Sequence, residues 1–225
     1  SMSVLAMNFS AQVNAVSLIH RDVSRKMFAP LYEGFFPEES HIDYVTNGVH
    51  HLTWASQLWQ DFYRKTFGEE YLSDTSDAEY WKKILDVPDE ELWALHKQEK
   101  EALMAFIRQR LEKEYTLRAE DPQVYFKTIK KLSGDKLTVG FARRFATYKR
   151  AKLLFTNLER LQEIVDKGVQ FIFAGKAHPQ DKAGAELISR IIEVSRMPQF
   201  TGSIIFLENY DMSVAKQLVK GVDVW

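Results

Sequence analysis

Four cationic side chains, Arg143, Arg144, Lys149 and Arg150, fall within eight positions directly after the apolar run Leu137-Thr-Val-Gly-Phe-Ala142. The apolar run predicts a strand, and a helical pattern opens behind it at about Tyr148. Open α/β sheets bind ligands outside the carboxyl ends of their strands. A helix N-terminus at that point would add backbone donors and a partial positive charge. The chemistry favoured by this pattern is binding of an anion, most naturally a phosphate. The same residues also suit a solvated basic turn, so the stretch does not decide alone.

Two further strand ends carry polar residues. Phe171-Ile-Phe-Ala-Gly-Lys-Ala-His-Pro179 brings Gly175 and Lys176 to its tip, and Phe206-Leu-Glu-Asn-Tyr-Asp211 brings Glu208, Asn209 and Tyr210. In a parallel sheet all three tips lie on one edge. That rim would combine cations, a glycine letting a ligand approach the backbone, and polar contacts. Gly175-Lys176 is not a P-loop, because the spaced glycines are missing, and no Gly-x-Gly-x-x-Gly follows the first strand. Metal binding has no support: His50 and His51 are adjacent and diverge on regular structure, and no carboxylate pair has ligand spacing. No Ser-His-Asp arrangement follows from spacing.

The elements around these residues change character along the chain. Residues 1–131 read as helical and aromatic-rich. Helical periodicity covers 3–28, a short strand is expected at 42–45, and Asn47-Gly48 signals a turn. Helices are expected at 52–67, 78–85 and, behind Pro88 and three acids, from 88 to about 115. On the last of these, His96 reads as a packed or hydrogen-bonded histidine. Lys97, Glu99, Lys100, Glu101, Arg108 and Arg110 read as a solvated face. Trp54, Trp59, Trp81 and Trp93 read as core rather than as a sugar platform. Residues 116–131 form a mixed connector.

Residues 132–225 alternate: strand 137–142, helix 148–166, strand 169–174, helix 181–196, strand 203–207, helix 212–220 and an incipient strand at 222. That order predicts a parallel sheet with crossover helices. The fold class is therefore α/β, a helical part followed by the first part of a Rossmann-like domain.

The whole chain has 225 residues, a net charge of −1 and no cysteine. This near-neutral balance supports neither a nucleic-acid nor an anionic-membrane partner, so a basic site must be local. No apolar run approaches the ~20 residues that span a bilayer. The missing cysteines exclude disulfides and thiolate sites and agree with a cytoplasmic location. Met2 to Met7 is already apolar and helix-like, and Val222-Asp-Val-Trp225 begins a strand directly after a helix, so a piece of a longer protein is expected.

These residues resemble the α-glucan phosphorylases of glycogen, starch and maltodextrin. Phe141 to Arg150 is similar to that family's Lys-Arg-x-x-x-Tyr-Lys-Arg segment. Phe173-Ala-Gly-Lys-Ala-His-Pro179 resembles its Gly-Gly-Lys-Ala-x-Pro, and Ile205-Phe-Leu-Glu-Asn-Tyr210 its Phe-Leu-Glu-Asn-Tyr strand end. Val13-Asn-Ala-Val-Ser-Leu-Ile-His20 and Thr46-Asn-Gly-Val-His50, with Trp54 behind it, resemble two upstream blocks. The wording is most similar to the shorter bacterial and archaeal branch.

The resemblance implies part of a two-domain glycosyltransferase of the GT-B type, often a homo-oligomer. Such enzymes use inorganic phosphate to release glucose 1-phosphate from an α-1,4-glucan with retention, and their pyridoxal phosphate works through its phosphate group. On that map Arg143 contacts the cofactor phosphate, where the family usually has lysine. Arg144 and Lys149 hold the substrate phosphate, and Tyr210 lies beside the cofactor ring. Gly175, Lys176 and Asn209 line the phosphate rim.

The family's Schiff-base lysine segment would lie beyond Trp225, and its glucan-side histidine before Ser1. Residues 1–131 are then the end of the N-terminal domain and 132–225 the start of the C-terminal one. The piece alone is expected to be inactive, without covalent pyridoxal phosphate. Two other readings stay open, a nucleotide-sugar-dependent glycosyltransferase like glycogen synthase and a non-catalytic glucan-binding remnant. The Phe-Leu-Glu-Asn-Tyr block favours phosphorylase over the first.

Overall fold

The computed structural model describes residues 2–225, and these divide into two compact units, one up to His50 and one from His51 to Trp225. The change of pattern at 131/132 therefore falls inside the second unit. In the first unit, α1 (Met2–Phe9), β1 (Asn14–Ala15), α2 (Leu18–Phe28) and β2 (Asp43–Tyr44) follow in order. The single helix expected over 3–28 is broken. Ser17 restarts it by accepting the His20 N–H at 3.2 Å, the usual role of a serine N-cap. Asn14 and Ala15 instead pair in parallel with Asp43 and Tyr44. Asn47-Gly48 makes no turn, because Val45 N–H and Asn47 N–H continue that pairing onto Ala15 and Val16 carbonyls at 2.9 and 3.0 Å.

The second unit begins with α3 (His51–Trp54), α4 (Gln57–Phe67), α5 (Ala78–Lys82), α6 (Asp89–Leu117) and α7 (Pro122–Lys131). Ser56 splits the expected 52–67 helix by capping Trp59 N–H at 3.2 Å. Asp77 caps α5, and the rest of the expected 78–85 helix tightens into a 3-10 turn at Lys83–Asp86. His51, Tyr63, Phe67 and Tyr71 surround Trp81 in an aromatic cluster, with Tyr63–Trp81 and Phe67–Trp81 centroids 5.2 Å apart. Trp59 packs on Phe62 and Tyr63. Trp59 and Trp81 are therefore packed against other rings but only partly buried, and Trp93 is half-exposed, so none of the three is core. The expected 116–131 connector contains α7, started by Asp121 and Pro122 in N-cap and first positions, where both are favoured.

The sheet follows with β3 (Leu137–Ala142), α8 (Leu158–Asp166), β4 (Val169–Ala174), α9 (Lys182–Ser195), β5 (Ile204–Leu207) and α10 (Met212–Gly221). The order is β3-β4-β5, all parallel, with Ala142 opposite Ala174 and Ala174 opposite Leu207. After α10 the chain crosses to the other side of β3, where Val224 pairs in parallel with Val139. Gly140 N–H donates to the Val224 carbonyl at 2.8 Å. The winding thus reverses at β3, which makes the crevice above its carboxyl end the topological switch point.

α6 was expected to carry a solvated charged face, and this holds for the exposed Lys97 and Glu101 but not for the other charges. Glu99 and Lys100 are buried, and Arg108 donates to the Leu132 carbonyl at 3.0 Å. One turn further along the same face the helix buries Leu103, Met104, Ile107 and Leu111 with Ile172, Ala174, Ile205 and Leu207 of the sheet. The charges at 99 and 100 thus fall on the core-facing side of the 29-residue helix, while its other side stays exposed.

Lys100 Nζ reaches Asp223 Oδ2 at 2.7 Å and the Lys136 carbonyl at 2.9 Å. Asp223 also accepts from Thr138 N–H and from His96 Nε2, both at 2.7 Å. Hydrogen bonding of His96 is as the sequence predicts, and because a carboxylate only accepts, Nε2 carries the proton. Burial pushes the Asp223 carboxyl up, but the donors Lys100, Thr138 and His96 and the Lys100 charge outweigh it and hold the pKa below 3.8. A carboxyl depressed in the folded state stabilises above its unfolded value, and that stability is lost as pH falls below about 4.

Two outcomes follow for urea unfolding. Asp223→Ala strands a buried ammonium and lowers stability by about 3–5 kcal/mol. Asp223→Asn flattens the acid limb below about pH 4; an unchanged acid limb would count against the network.

Candidate functional site

The register of the sheet brings three strand ends to one rim. Arg143 follows Ala142, Gly175 follows Ala174 and Glu208 follows Leu207, and those three strand-end residues stand in line across the sheet. Pairing continues past the strands, since Phe145 N–H donates to the Lys176 carbonyl at 3.0 Å and Phe145 stands opposite Ala177. Lys176 and Arg110 both lie close enough to Asp211 to help hold its carboxyl down, although the main cause is its hydrogen bond from Val214 N–H. Gly175, Lys176, Glu208, Asn209, Tyr210 and Arg143 thus belong to one edge.

Phe145 anchors the basic segment. Its side chain is fully buried, packed against Phe141 and Phe206 at centroid separations of 5.6 and 5.9 Å. Arg143 and Arg144 immediately precede it and are exposed. Burying a phenylalanine between exposed cations fixes where their backbone lies. Nothing in the spacing of the charges points to Phe145; its signal in the sequence is only an aromatic residue inside a basic run.

Gly175 makes room for backbone. Its φ is +143°, and a Cβ there would stand 2.2 Å from the Arg143 carbonyl oxygen and 2.9 Å from the Phe145 ring. The glycine therefore admits the neighbouring strand end. Gly184, in the first turn of α9, does the same for the Phe145 carbonyl, which a Cβ would meet at 2.5 Å.

The helix expected from Tyr148 is also absent in that form. Thr147–Lys149 and Ala151–Phe155 are 3-10 turns separated by Arg150 at φ +59°. The α-helix starts only at Leu158, where the Asn157 side chain accepts the Arg160 N–H at 2.9 Å. α9 and α10 are capped likewise by Asp181 and Asp211. The positive charge of this rim consequently comes from side-chain cations, not from a free helix N-terminus. Among the described residues, Arg143, Arg144, Lys149, Arg150 and Lys176 form no ion pair with a carboxylate. Lys149 Nζ lies over the Tyr148 ring, 5.0 Å from its centroid. No contact joins Arg144 or Lys149 directly to the other rim residues.

At the β5 tip, Asn209 is exposed and left-handed, φ +52°. Tyr210 is half-buried against the core. Burial pushes its hydroxyl above the ordinary 10.0, so it remains a protonated donor at neutral pH. Glu208 is tied to Arg118 at 2.5 Å. Arg110, read from the sequence as solvated, donates to the Glu208 and Asn209 carbonyls at 3.2 and 3.0 Å. No group of three or more His, Asp or Glu side chains among the described residues is arranged to hold a metal.

Gly175→Ala is expected to lower stability by more than about 1 kcal/mol and depress the thermal midpoint. Gly48→Ala, where a Cβ meets nothing within 4 Å, stays within about 0.5 kcal/mol of the parent. Equal midpoints for the two variants would remove the close approach as the reason for Gly175.

Comparison with known proteins places this rim in context. The family model for carbohydrate phosphorylases matches residues 1–225. The chain is 42% identical over 226 residues to a glycogen phosphorylase of Aquifex aeolicus, covering 99% of this chain and 32% of that protein. It is 38% identical over 229 residues to a maltodextrin phosphorylase of Thermococcus litoralis, covering 100% of this chain and 27% of that protein. Against the muscle glycogen phosphorylase of Oryctolagus cuniculus identity is 26%, again over 100% of this chain and 26% of the other. The chain spans about a third or less of the length of these curated relatives. With helical half, parallel sheet and basic rim all inside one continuous match, the chain belongs to the carbohydrate phosphorylase family.

Proposed function

We propose that this chain is part of an α-1,4-glucan phosphorylase, and that the rim at Arg143, Arg144, Lys149, Lys176 and Tyr210 binds two phosphates, one from the cofactor and one from the substrate. The observation that carries the reading is the placement of Arg143 and Arg144 just past the carboxyl end of β3, where the winding of the sheet reverses. Residues 1–131 would form the end of the N-terminal domain and 132–225 the first part of the C-terminal nucleotide-fold domain. α6 already packs into the core of that sheet.

In the reaction, the glucan's terminal C1–O4 bond breaks and a bond from C1 to a phosphate oxygen forms, while a proton goes to the leaving O4. Two phosphates must then lie close together. At 4 Å each pair of like unit charges costs about 4 kcal/mol at an effective dielectric constant of 20. Fixed cations offset such repulsion without reorganising. Arg144 and Lys149 take the substrate phosphate, and Arg143 takes the cofactor phosphate. A guanidinium suits the latter role, because its fork donates to two phosphate oxygens at once.

The donor set fits pyridoxal phosphate: guanidinium groups for its phosphate and a protonated tyrosine hydroxyl beside its ring. When bound, pyridoxal phosphate supplies a second phosphate group to the reacting centre. Tyr210 remains neutral there because burial keeps its proton on. Gly175, Lys176 and Asn209 complete the rim, Gly175 by allowing the strand ends to meet and Lys176 by adding charge. α-Glucan and inorganic phosphate are the partners this chemistry implies.

The test separates phosphate from glucan. In the parent enzyme, Arg144→Ala should raise KM for phosphate roughly 10–100-fold, the loss of a charge-assisted contact, and change KM for glucan far less. Equal losses in both would sink the assignment.

A further inference from the structure

Two side chains near the end of α6, and a third from the residue that caps it, reach one short segment at the β5 tip. Arg110, Glu114 and Arg118 are spaced four residues apart and so share a helix face. Arg110 Nη2 donates to the carbonyls of both Glu208 and Asn209, at 3.2 and 3.0 Å. Arg118 Nη2 pairs with Glu208 Oε1 at 2.5 Å. Arg110 Nε stands 3.5 Å from the Glu114 carboxylate. Glu208 is therefore held at its carbonyl by Arg110 and at its side chain by Arg118.

The segment that is held contains a left-handed turn. Asn209 sits at φ +52°, a conformation uncommon outside glycine and best tolerated by asparagine. Glu114 is itself buried. Burial, then the Glu208 charge, pushes its carboxyl above the ordinary 4.5 against the pull of Arg110 and Arg118.

We infer that Arg110, Glu114 and Arg118 are positioning residues of the anion site, a clamp that holds the Glu208–Tyr210 tip in its left-handed turn and in register with Arg143 and Gly175. The kinetic consequence rests on the phosphorylase reading, while the clamp itself rests on geometry alone. Without it the tip relaxes toward ordinary backbone, and Asn209 and Tyr210 leave the rim although every cation that binds phosphate stays in place.

Hydrogen exchange on the 225-residue chain and steady-state kinetics on the parent enzyme test this together. Arg110→Ala should speed exchange of the Glu208 amide about 10-fold or more, with β4 amides unchanged. In the parent it should lower kcat about 10-fold and leave KM for phosphate within about 3-fold. Arg108→Ala, which loses only its bond to the Leu132 carbonyl, should do neither. If Arg110→Ala does not fold, Arg118→Gln, removing the pair with Glu208, carries the same test. Unchanged exchange at Glu208 overturns the clamp whatever Arg144→Ala does. Faster exchange with unaltered kcat overturns its positioning role. A normal phosphate response in Arg144→Ala, by contrast, removes the phosphorylase reading and leaves the exchange result to judge the clamp.

Discussion

The site depends on how closely two strand ends approach each other. A side chain at Gly175 would collide with the Arg143 carbonyl at 2.2 Å, so the residue that carries the first cation can sit where it does only because its neighbour has none. Phe145 makes the same approach permanent by burying its ring against Phe141 and Phe206. A fully buried phenylalanine is worth several kcal/mol, far more than the exposed arginines beside it could contribute. Hydrophobic packing thus holds a charged rim that electrostatics alone would push apart.

The long helix α6 supports that rim from below. Lys100, Asp223, His96 and Thr138 link it to the strand segment that returns beside β3, and Arg110 links it to the β5 tip. One helix therefore touches both sides of the switch point. A buried ion pair is weak evidence for stability because desolvation opposes its attraction. Its value here is specificity: Asp223 accepts three donors from two elements, α6 and β3, and so fixes the register of the returning strand.

Much of the sheet was legible along the chain. Val, Ile and Phe runs punctuated by glycine gave strands at 137–142, 169–174 and about 204, and the helices after them were found apart from the start of the first. The misses have local causes. Arg150 in a left-handed conformation and Asn157 as a cap break the helix expected from Tyr148. Ser17 and Ser56 restart helices that periodicity alone runs together. Asn47-Gly48, a common turn pair, stays extended because its neighbours continue the pairing onto Ala15 and Val16.

By itself the sequence determined which residues are charged, which strands run in which order, and which blocks resemble the phosphorylases. Those follow from composition and short-range pattern, and they named Arg143, Arg144, Lys149, Lys176 and Tyr210 before any fold was known. Only the tertiary structure decided that Lys100 is buried and paired, that Arg110 grips the β5 tip, and that Gly175 makes room for a neighbouring strand end. Each of those depends on partners 30 to 123 residues away in sequence, and no window along the chain contains both members of such a pair.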